Sequence, residues 1–184
     1  MSMPRIRLPM VIAAISVVLT VASATLASAA DDKSAAEAAS ALRGATTPFY
    51  NLSTAQADGY SVLSDAAGLT CIANGDTGAM GVHYVRGDLV GDGAIDALRP
   101  EAVIYEPQGD GYMQLVGVEY VVMKADWDAK HFEAPSLFGE QFKTIDAGNR
   151  YGLPAFYELH AWVWQHNELG TFQDWNPRVK CPQA

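Results

Sequence analysis

The sequence predicts an α+β protein in which N-terminal helices are followed by a mainly antiparallel curled sheet or small β-barrel. Residues 31–43 are rich in alanine, which favours a helix. From Cys71 onward the chain consists of short apolar segments separated by clusters of Gly, Asp, Asn and Pro, a pattern typical of strands and turns. The tight connector at residues 108–111 joins two such segments and favours a β-hairpin.

The first 30 residues are predicted to be a secretory signal peptide. Arg5 and Arg7 precede an apolar run from Met10 to about Ala27, and small residues that suit a cleavage site follow. We therefore expect a secreted or periplasmic protein that has no membrane association after cleavage.

A helical N-terminal arm is predicted over residues 31–70. Gly44 is expected to end the alanine-rich helix, and Ser53 can cap a second, short helix that reaches Tyr60 or Leu63. Apart from Leu42, the first helix offers only alanines as an apolar face. This composition favours a loosely attached arm.

Residues 71–184 are predicted to form the β-rich domain. We expect strands over residues 79–86, 101–106, 112–124 and 156–166, with the second and third joined as the hairpin. A long polar insertion, residues 125–152, separates the third strand from the fourth. Loops of this length in compact domains are often functional, so the insertion is a candidate lid.

The charge of the chain argues against nucleic acid and anionic membrane surfaces as partners. Without Arg5 and Arg7, the mature chain carries ten Lys plus Arg against twenty-one Asp plus Glu, a net charge of −11. Such an acidic protein repels nucleic acid and anionic membrane surfaces. The sequence also contains no phosphate loop, serine elbow or nucleotide-binding fingerprint, which argues against the enzyme classes that depend on them.

Cys71 and Cys181 are the two cysteines of the chain. Because both follow the predicted signal peptide, we expect them to form a structural disulfide. The alternative is a metal-binding or reactive thiol pair, but their spacing matches no metal or redox motif.

Four polar residues interrupt the apolar strand segments. His83, Glu119 and His160 each lie among residues that a sheet would bury, and Glu106 is in phase with the apolar face of the second strand. A buried polar group without a partner is destabilising by several kcal/mol, so these side chains are expected to meet at a shared internal site.

A divalent transition metal, Zn, Mn, Fe or Ni, is the predicted occupant of this site. Neutral imidazoles and carboxylates are the ligands that these ions prefer, and His83, Glu106, Glu119 and His160 would supply two of each. The expected ligand of the protein is a small organic molecule, which the ion binds or helps to transform. Tyr84, Tyr105 or Tyr120 are the candidate proton donors.

Two other interpretations of the same residues stay open at this point. Glu119 can pair with Arg86, Arg99 or Lys124 while the histidines bond to carbonyls or tyrosines, a structural role without function. Alternatively, Glu119 and His160 form an acid/base pair without metal.

The aromatic residues near the fourth strand support a function of a different class. Trp162, Trp164, Phe172 and Trp175 are concentrated in one stretch of the sequence. Such rings fill cores and also line pockets. A non-enzymatic binding protein with an aromatic-lined apolar cavity is therefore the alternative function, and a structural protein of the cell envelope is a further one.

Several short strings also suggest a family. The segments are residues 78–85, 100–107, 118–120, 159–162 and 175–178. Together they resemble an uncharacterised family of secreted bacterial proteins, over about residues 71–181, and this resemblance implies no activity, ligand or catalytic residue. The general plan is similar to the cupin barrels, but the chain lacks the His-x-His motif of cupins.

Overall fold

The computed structural model describes residues 36–182. The predicted signal peptide lies outside the described residues. From Glu37 onward the described chain forms one compact unit. None of the helices within residues 36–182 has the length and apolar character needed to cross a membrane.

The helical elements are short and mostly precede the sheet. Residues 36–46 form helix α1, and the other α-helices are α2 (Leu52–Ala57), α3 (Gly87–Val90) and α4 (Lys124–Asp128); two 3₁₀ turns lie at Thr47–Tyr50 and Gly75–Thr77. Residues 37–70 of the predicted arm belong to the same compact unit as the sheet, and Leu42 of α1 and Ala55 of α2 are buried in the main core.

Nine strands carry the fold within the described residues. They are β1 (Ser61–Val62), β2 (Cys71–Ala73), β3 (Ala79–Val85), β4 (Ala102–Pro107), β5 (Met113–Met123), β6 (Ser136–Leu137), β7 (Glu140–Gln141), β8 (Lys143–Ile145) and β9 (Phe156–Ala161). Strands β6 and β7 form a separate two-stranded sheet, and the other seven form the main sheet.

The main sheet is antiparallel and open. Its order is β1-β3-β4-β5-β9-β8, and β2 also pairs with β3. The predicted α+β class and the predicted hairpin of β4 and β5 are confirmed. The barrel alternative is wrong, because the short strands β1 and β8 lie at opposite edges of the sheet and do not pair to close it.

A bulge in β5 changes which side chains share a face. Ile104 pairs with Gly117 but Tyr105 pairs with Leu115, so Val116 is an extra residue on β5. Val116 consequently packs beside Ile104, whereas Leu115 faces the opposite core. Simple strand alternation places Leu115 on the same face as Glu119, and the bulge is the reason that this expectation is wrong.

The two faces of the sheet bury different clusters. One face, with Tyr105, Val118, Tyr120 and Leu159, packs against the N-terminal helical segment. The other face buries a smaller cluster of Ala79, Ile104, Val116, Trp162 and Val179. The candidate site lies on this second face.

The fourth predicted strand is shorter than expected. Strand β9 ends at Ala161, five residues before the predicted end, because the Trp162 amide donates to the Thr171 carbonyl and the Val163 amide to the Ala161 carbonyl. The chain therefore bends, and Trp164 packs at the edge of the main core, away from the His160 face.

The C-terminal segment returns across the start of β3. Ala79 and Asn176 exchange backbone hydrogen bonds at this crossing. Cys71 and Cys181 form a disulfide with a Cα–Cα distance of 5.6 Å, as the sequence predicts. The segment that contains Asp174 is thus fixed to the sheet at two points.

Candidate metal centre

Three of the four predicted ligands converge on one face of the sheet. Glu119 on β5 is directly opposite His160 on β9 and Ala102 on β4. His83 on β3 is opposite Ile104, two residues further along β4. His83 and Glu119 therefore lie on either side of β4, and the small side chain of Ala102 lets them approach across it.

The imidazole nitrogens and carboxylate oxygens of these residues, which can bind a metal, are close together. The two Nε2 atoms of His83 and His160 are 3.4 Å apart. The Glu119 carboxylate lies 3.5 Å from His83 Nε2 through one oxygen and 4.0 Å from His160 Nε2 through the other. All three residues can thus offer an atom to one ion.

These separations match those of a metal coordination sphere. In a tetrahedral zinc site with bonds of about 2.0–2.1 Å, neighbouring ligand atoms are about 3.3–3.4 Å apart. The nitrogen pair at 3.4 Å fits this spacing, and the nearer carboxylate oxygen at 3.5 Å is close to it.

Burial keeps both imidazoles neutral. His83 and His160 are 2% and 1% exposed. The pKa of both histidines is lowered to about 3, chiefly by burial. Electrostatic repulsion from His160 and then Arg150 contributes for His83, and repulsion from Lys143 contributes for His160. A neutral imidazole has a free lone pair on one nitrogen, which is the form that binds metal.

The Glu119 carboxyl shares its surroundings with a second glutamate. Burial raises the pKa of Glu119 well above its usual range, and the charge of Glu158 and a hydrogen bond with it raise it further. Glu158, on the same face of β9, has a pKa raised to about 7 by burial. Glu119 therefore carries the proton of this carboxyl pair and donates a hydrogen bond to Glu158. A metal ion would replace that proton.

The other nitrogen of His160 faces an acidic group. His160 Nδ1 is buried without a hydrogen-bond partner among the described residues. Asp174 Oδ1 is 3.8 Å away, and Lys143 Nζ holds the same oxygen at 2.6 Å. A carboxylate behind a ligating histidine is the usual second partner in metal sites, where it orients the ring. Glu158, His160 and Asp174 also form a second group of closely spaced ligand atoms.

Trp162 fixes the position of the His160 ring. The two rings stack with centroids 6.1 Å apart, and the indole nitrogen donates to the Gln173 carbonyl. Gly117 makes room for this tryptophan, because a Cβ at Gly117 would lie 3.1 Å from Trp162 Cε3.

Glu106, the fourth predicted ligand, lies elsewhere. It is opposite Gln114 and four residues from Ala102 along β4, about 13 Å at the usual rise of a strand. Its Oε1 accepts a hydrogen bond of 2.7 Å from the Lys180 amide. Strand alternation predicts the correct face for Glu106 but not its position along the strand.

The other predicted partners also make different contacts. Arg86 pairs with Asp58 and Asp88, and Lys124 pairs with Asp128, so neither compensates the Glu119 charge. His160 Nε2 and the Glu119 carboxylate are too far apart, at 4.0 Å, for the direct hydrogen bond of an acid/base pair.

The tyrosines named as candidate proton donors face the main core. Tyr105 donates to the Phe49 carbonyl and Tyr120 to the Ala97 carbonyl, while Tyr84 packs at the edge of that core. A different tyrosine, Tyr151 of the predicted insertion, lines a cavity next to Glu119.

This cavity has a volume of 270 Å³ and opens beside the candidate centre. Apart from Glu119 and Tyr151, its walls are apolar or glycine. Trp162, Trp164 and Phe172, which suggested an aromatic lining, pack instead into the two cores.

Sequence reasoning did not select Glu158, Asp174 and Tyr151. Strand alternation identifies Glu158 as a neighbour of His160 on the same face, which is a usable signal. Asp174 and Tyr151 lie in irregular segments, where the sequence has no periodicity that indicates direction.

Comparison with known proteins adds no assignment to this geometry. No family model, curated protein or solved structure matches the chain.

Proposed function

We propose that this chain is an exported metal-binding protein whose centre, His83, Glu119 and His160, holds a divalent transition metal and binds or transforms a small organic molecule. The observation that carries the proposal is the approach of two buried imidazole nitrogens to 3.4 Å with the Glu119 carboxylate beside them.

The electrostatics of the centre support a cation. In the described chain, the basic side chains within 4.0 Å of the Glu119 carboxyl are the two histidines, which supply no positive charge at physiological pH because their pKa is lowered to about 3. A buried carboxylate beside two imidazole lone pairs is stabilised by a divalent ion, which none of the neighbouring side chains replaces.

The ligand set favours a reactive ion over a structural one. Two histidines and one carboxylate occur in catalytic zinc sites and in non-haem iron sites, where coordination positions stay open for water or substrate. With three protein ligands, a bound ion can act as a Lewis acid or activate a water molecule. The cavity beside Glu119 supplies the space for a substrate.

The disulfide supports export. Disulfides persist in oxidising compartments, so the Cys71–Cys181 bond fits a secreted or periplasmic protein. The resemblance to secreted bacterial proteins agrees with this location and stays a prediction.

Elemental analysis of protein purified without chelators tests the proposal. We expect about one equivalent of a transition metal in the wild type, loss of the metal in His160→Ala and Glu119→Ala, and retention in the control variants His166→Ala and Glu140→Ala, because both controls change exposed residues. Circular dichroism verifies that each variant is folded. A wild-type protein that stays metal-free after incubation with Zn, Mn, Fe and Ni salts would refute the proposal.

The alternative function is a binding protein that holds an apolar ligand without metal. The apolar walls of the 270 Å³ cavity favour it. It predicts no bound metal but a higher melting temperature in the presence of a small apolar compound.

A further inference from the structure

The cavity beside the centre is lined by aliphatic side chains from distant parts of the chain. Val85, Val90 and Val121 come from the ends of β3 and α3 and from β5, and Leu63, Leu153 and Phe156 complete the apolar wall. Gly87 and Gly91, which flank Val90, keep the α3 side open. Such walls favour the hydrocarbon part of a ligand, because each buried methylene strengthens binding roughly fourfold.

The polar groups of the cavity are confined to Glu119 and Tyr151. Burial, and then the charge of Glu119, raises the pKa of Tyr151, so its hydroxyl stays protonated and can donate a hydrogen bond. A ligand oxygen would therefore be directed to the part of the cavity that Glu119, a proposed metal ligand, and Tyr151 line. The cavity has no comparable place for a second polar group.

The size of the cavity limits the ligand. A volume of 270 Å³ equals about nine water molecules at roughly 30 Å³ each, so it fits a molecule of about seven to nine non-hydrogen atoms.

The charges around the centre favour a neutral ligand. Three acidic residues, Glu119, Glu158 and Asp174, lie at the centre, and Lys143 is already paired with Asp174. An anionic head group would add an uncompensated negative charge, and no Lys or Arg lines the cavity within the described residues.

We propose that the ligand is a neutral, mainly aliphatic molecule of about six carbons with a single oxygen function, the oxygen directed to the ion and the hydrocarbon body in the cavity beside Glu119. This inference rests on the proposed metal centre and names the substrate class for it.

Calorimetric titration of the zinc-loaded full-length mature protein tests this, with 1-hexanol, ethanol and hexanoate as probes. We expect 1-hexanol to bind at least tenfold, and at most about 200-fold, more tightly than ethanol, because it has four more methylenes to bury. Hexanoate should bind more weakly than 1-hexanol. The metal-free protein should bind 1-hexanol several-fold more weakly than the zinc-loaded protein, since the ion contributes to holding the oxygen.

Variants locate the hydrocarbon body. Val90→Phe fills the cavity and should remove the preference for 1-hexanol over ethanol while zinc content stays unchanged. Val62→Phe makes the same substitution at an exposed valine outside the cavity and should bind like the wild type. Leu63→Phe is the second cavity variant, to be used if Val90→Phe does not fold.

Each remaining outcome overturns a defined part of the inference. Equal affinity for 1-hexanol and ethanol, or a full preference for 1-hexanol in a folded cavity variant, excludes the cavity as the binding site. Tighter binding of hexanoate excludes a neutral head group. Equal affinity with and without zinc removes the ion from ligand binding. Failure to bind zinc refutes the proposed function itself and leaves 1-hexanol binding by the metal-free protein as evidence for the alternative function.

Discussion

At the scale of single residues, burial rather than charge pairing sets the chemistry of the site face. His83 and His160 lose their basicity, and the pKa values of Glu119 and Glu158 are raised, because the sheet excludes water from all four. Glu101 is a useful comparison, because its buried carboxylate accepts a hydrogen bond of 2.9 Å from the Val121 amide. Glu101 thus has a backbone partner that Glu119 lacks, which is why Glu119 is the better candidate for a functional role.

Glu101 should make stability depend on pH. Burial raises its pKa from 4.5 to about 7, so between these values the folded state holds a proton that the unfolded state has lost. Stability must therefore fall as pH rises from 4.5 to 7, by up to about 3 kcal/mol at about 1.4 kcal/mol per unit. In Glu101→Gln this contribution is absent. Urea unfolding of both proteins with chelator present, at pH 4.5 and pH 7, measures it, and an equal change in both would contradict the prediction.

Asp174 should tune the metal affinity through the His160 ring. Asp174→Asn removes the carboxylate that faces His160 Nδ1, and loss of such a partner typically weakens metal binding by about 10–100-fold. Competition with a chromophoric chelator measures the affinity, and Asp146→Asn, at an exposed loop position, is the matched control. Unchanged affinity would exclude this orienting role. Complete loss of metal would instead indicate that Asp174 binds the ion directly, as part of the group Glu158, His160 and Asp174.

At the scale of elements, the backbone of β3 packs closely against that of β4 near the site. Gly81 pairs with Ile72 of β2 and adopts φ of +90°. A Cβ there would lie 2.6 Å from the Tyr105 carbonyl oxygen on β4. The position of Gly81, two residues before His83, links the packing of β2, β3 and β4 to the geometry of the metal centre.

Gly81→Ala should therefore destabilise the protein by about 2–4 kcal/mol, since it combines strain at positive φ with a clash against the backbone. It should also weaken metal binding by moving His83. Gly109→Ala, in the β4–β5 connector where a Cβ meets nothing within 4 Å, is the control and should change stability by less than about 1 kcal/mol. Chemical denaturation and metal titration measure both effects, and equal stability of the two variants would contradict this account.

At the scale of the whole molecule, the disulfide and the C-terminal segment complete the site. The Cys71–Cys181 bond joins two residues that are 110 positions apart in the sequence, and every candidate ligand lies between them. Together with the Ala79–Asn176 backbone bridge, it holds the segment of Asp174 against the face that bears His160.

Replacing both cysteines with serine should lower the free energy of unfolding by about 2–5 kcal/mol, because the unfolded chain gains freedom. The decrease in metal affinity should be no larger than the decrease in Asp174→Asn, since the three proposed ligands lie on strands that keep their pairing. Urea unfolding and chelator competition on the Cys71→Ser, Cys181→Ser double variant measure the two quantities. A complete loss of metal from a folded double variant would show that the centre depends on the disulfide directly.

The sequence predicted those elements whose signal is local. The bounds of β3, β4 and β5 follow from runs of apolar residues, and the disulfide follows from the presence of two cysteines. The sequence did not predict β1, β2 and β8, which are two or three residues long and exist because they pair at the sheet edges. The end of β9 was also missed, because the bend after Ala161 depends on hydrogen bonds to Thr171 and Val116.

The sequence by itself determined that His83, Glu119 and His160 are polar groups in buried strands, because hydrophobic burial is encoded in the pattern of neighbours. Only the tertiary structure decided which of them meet. The strand order places β3, β4, β5 and β9 side by side, the register sets Glu119 opposite His160, and the same register leaves Glu106 far along β4. Asp174 and the cavity depend on long-range packing of irregular segments. Alternation along a strand specifies a face, but strand order and register, which fix position on that face, arise from contacts between distant parts of the chain.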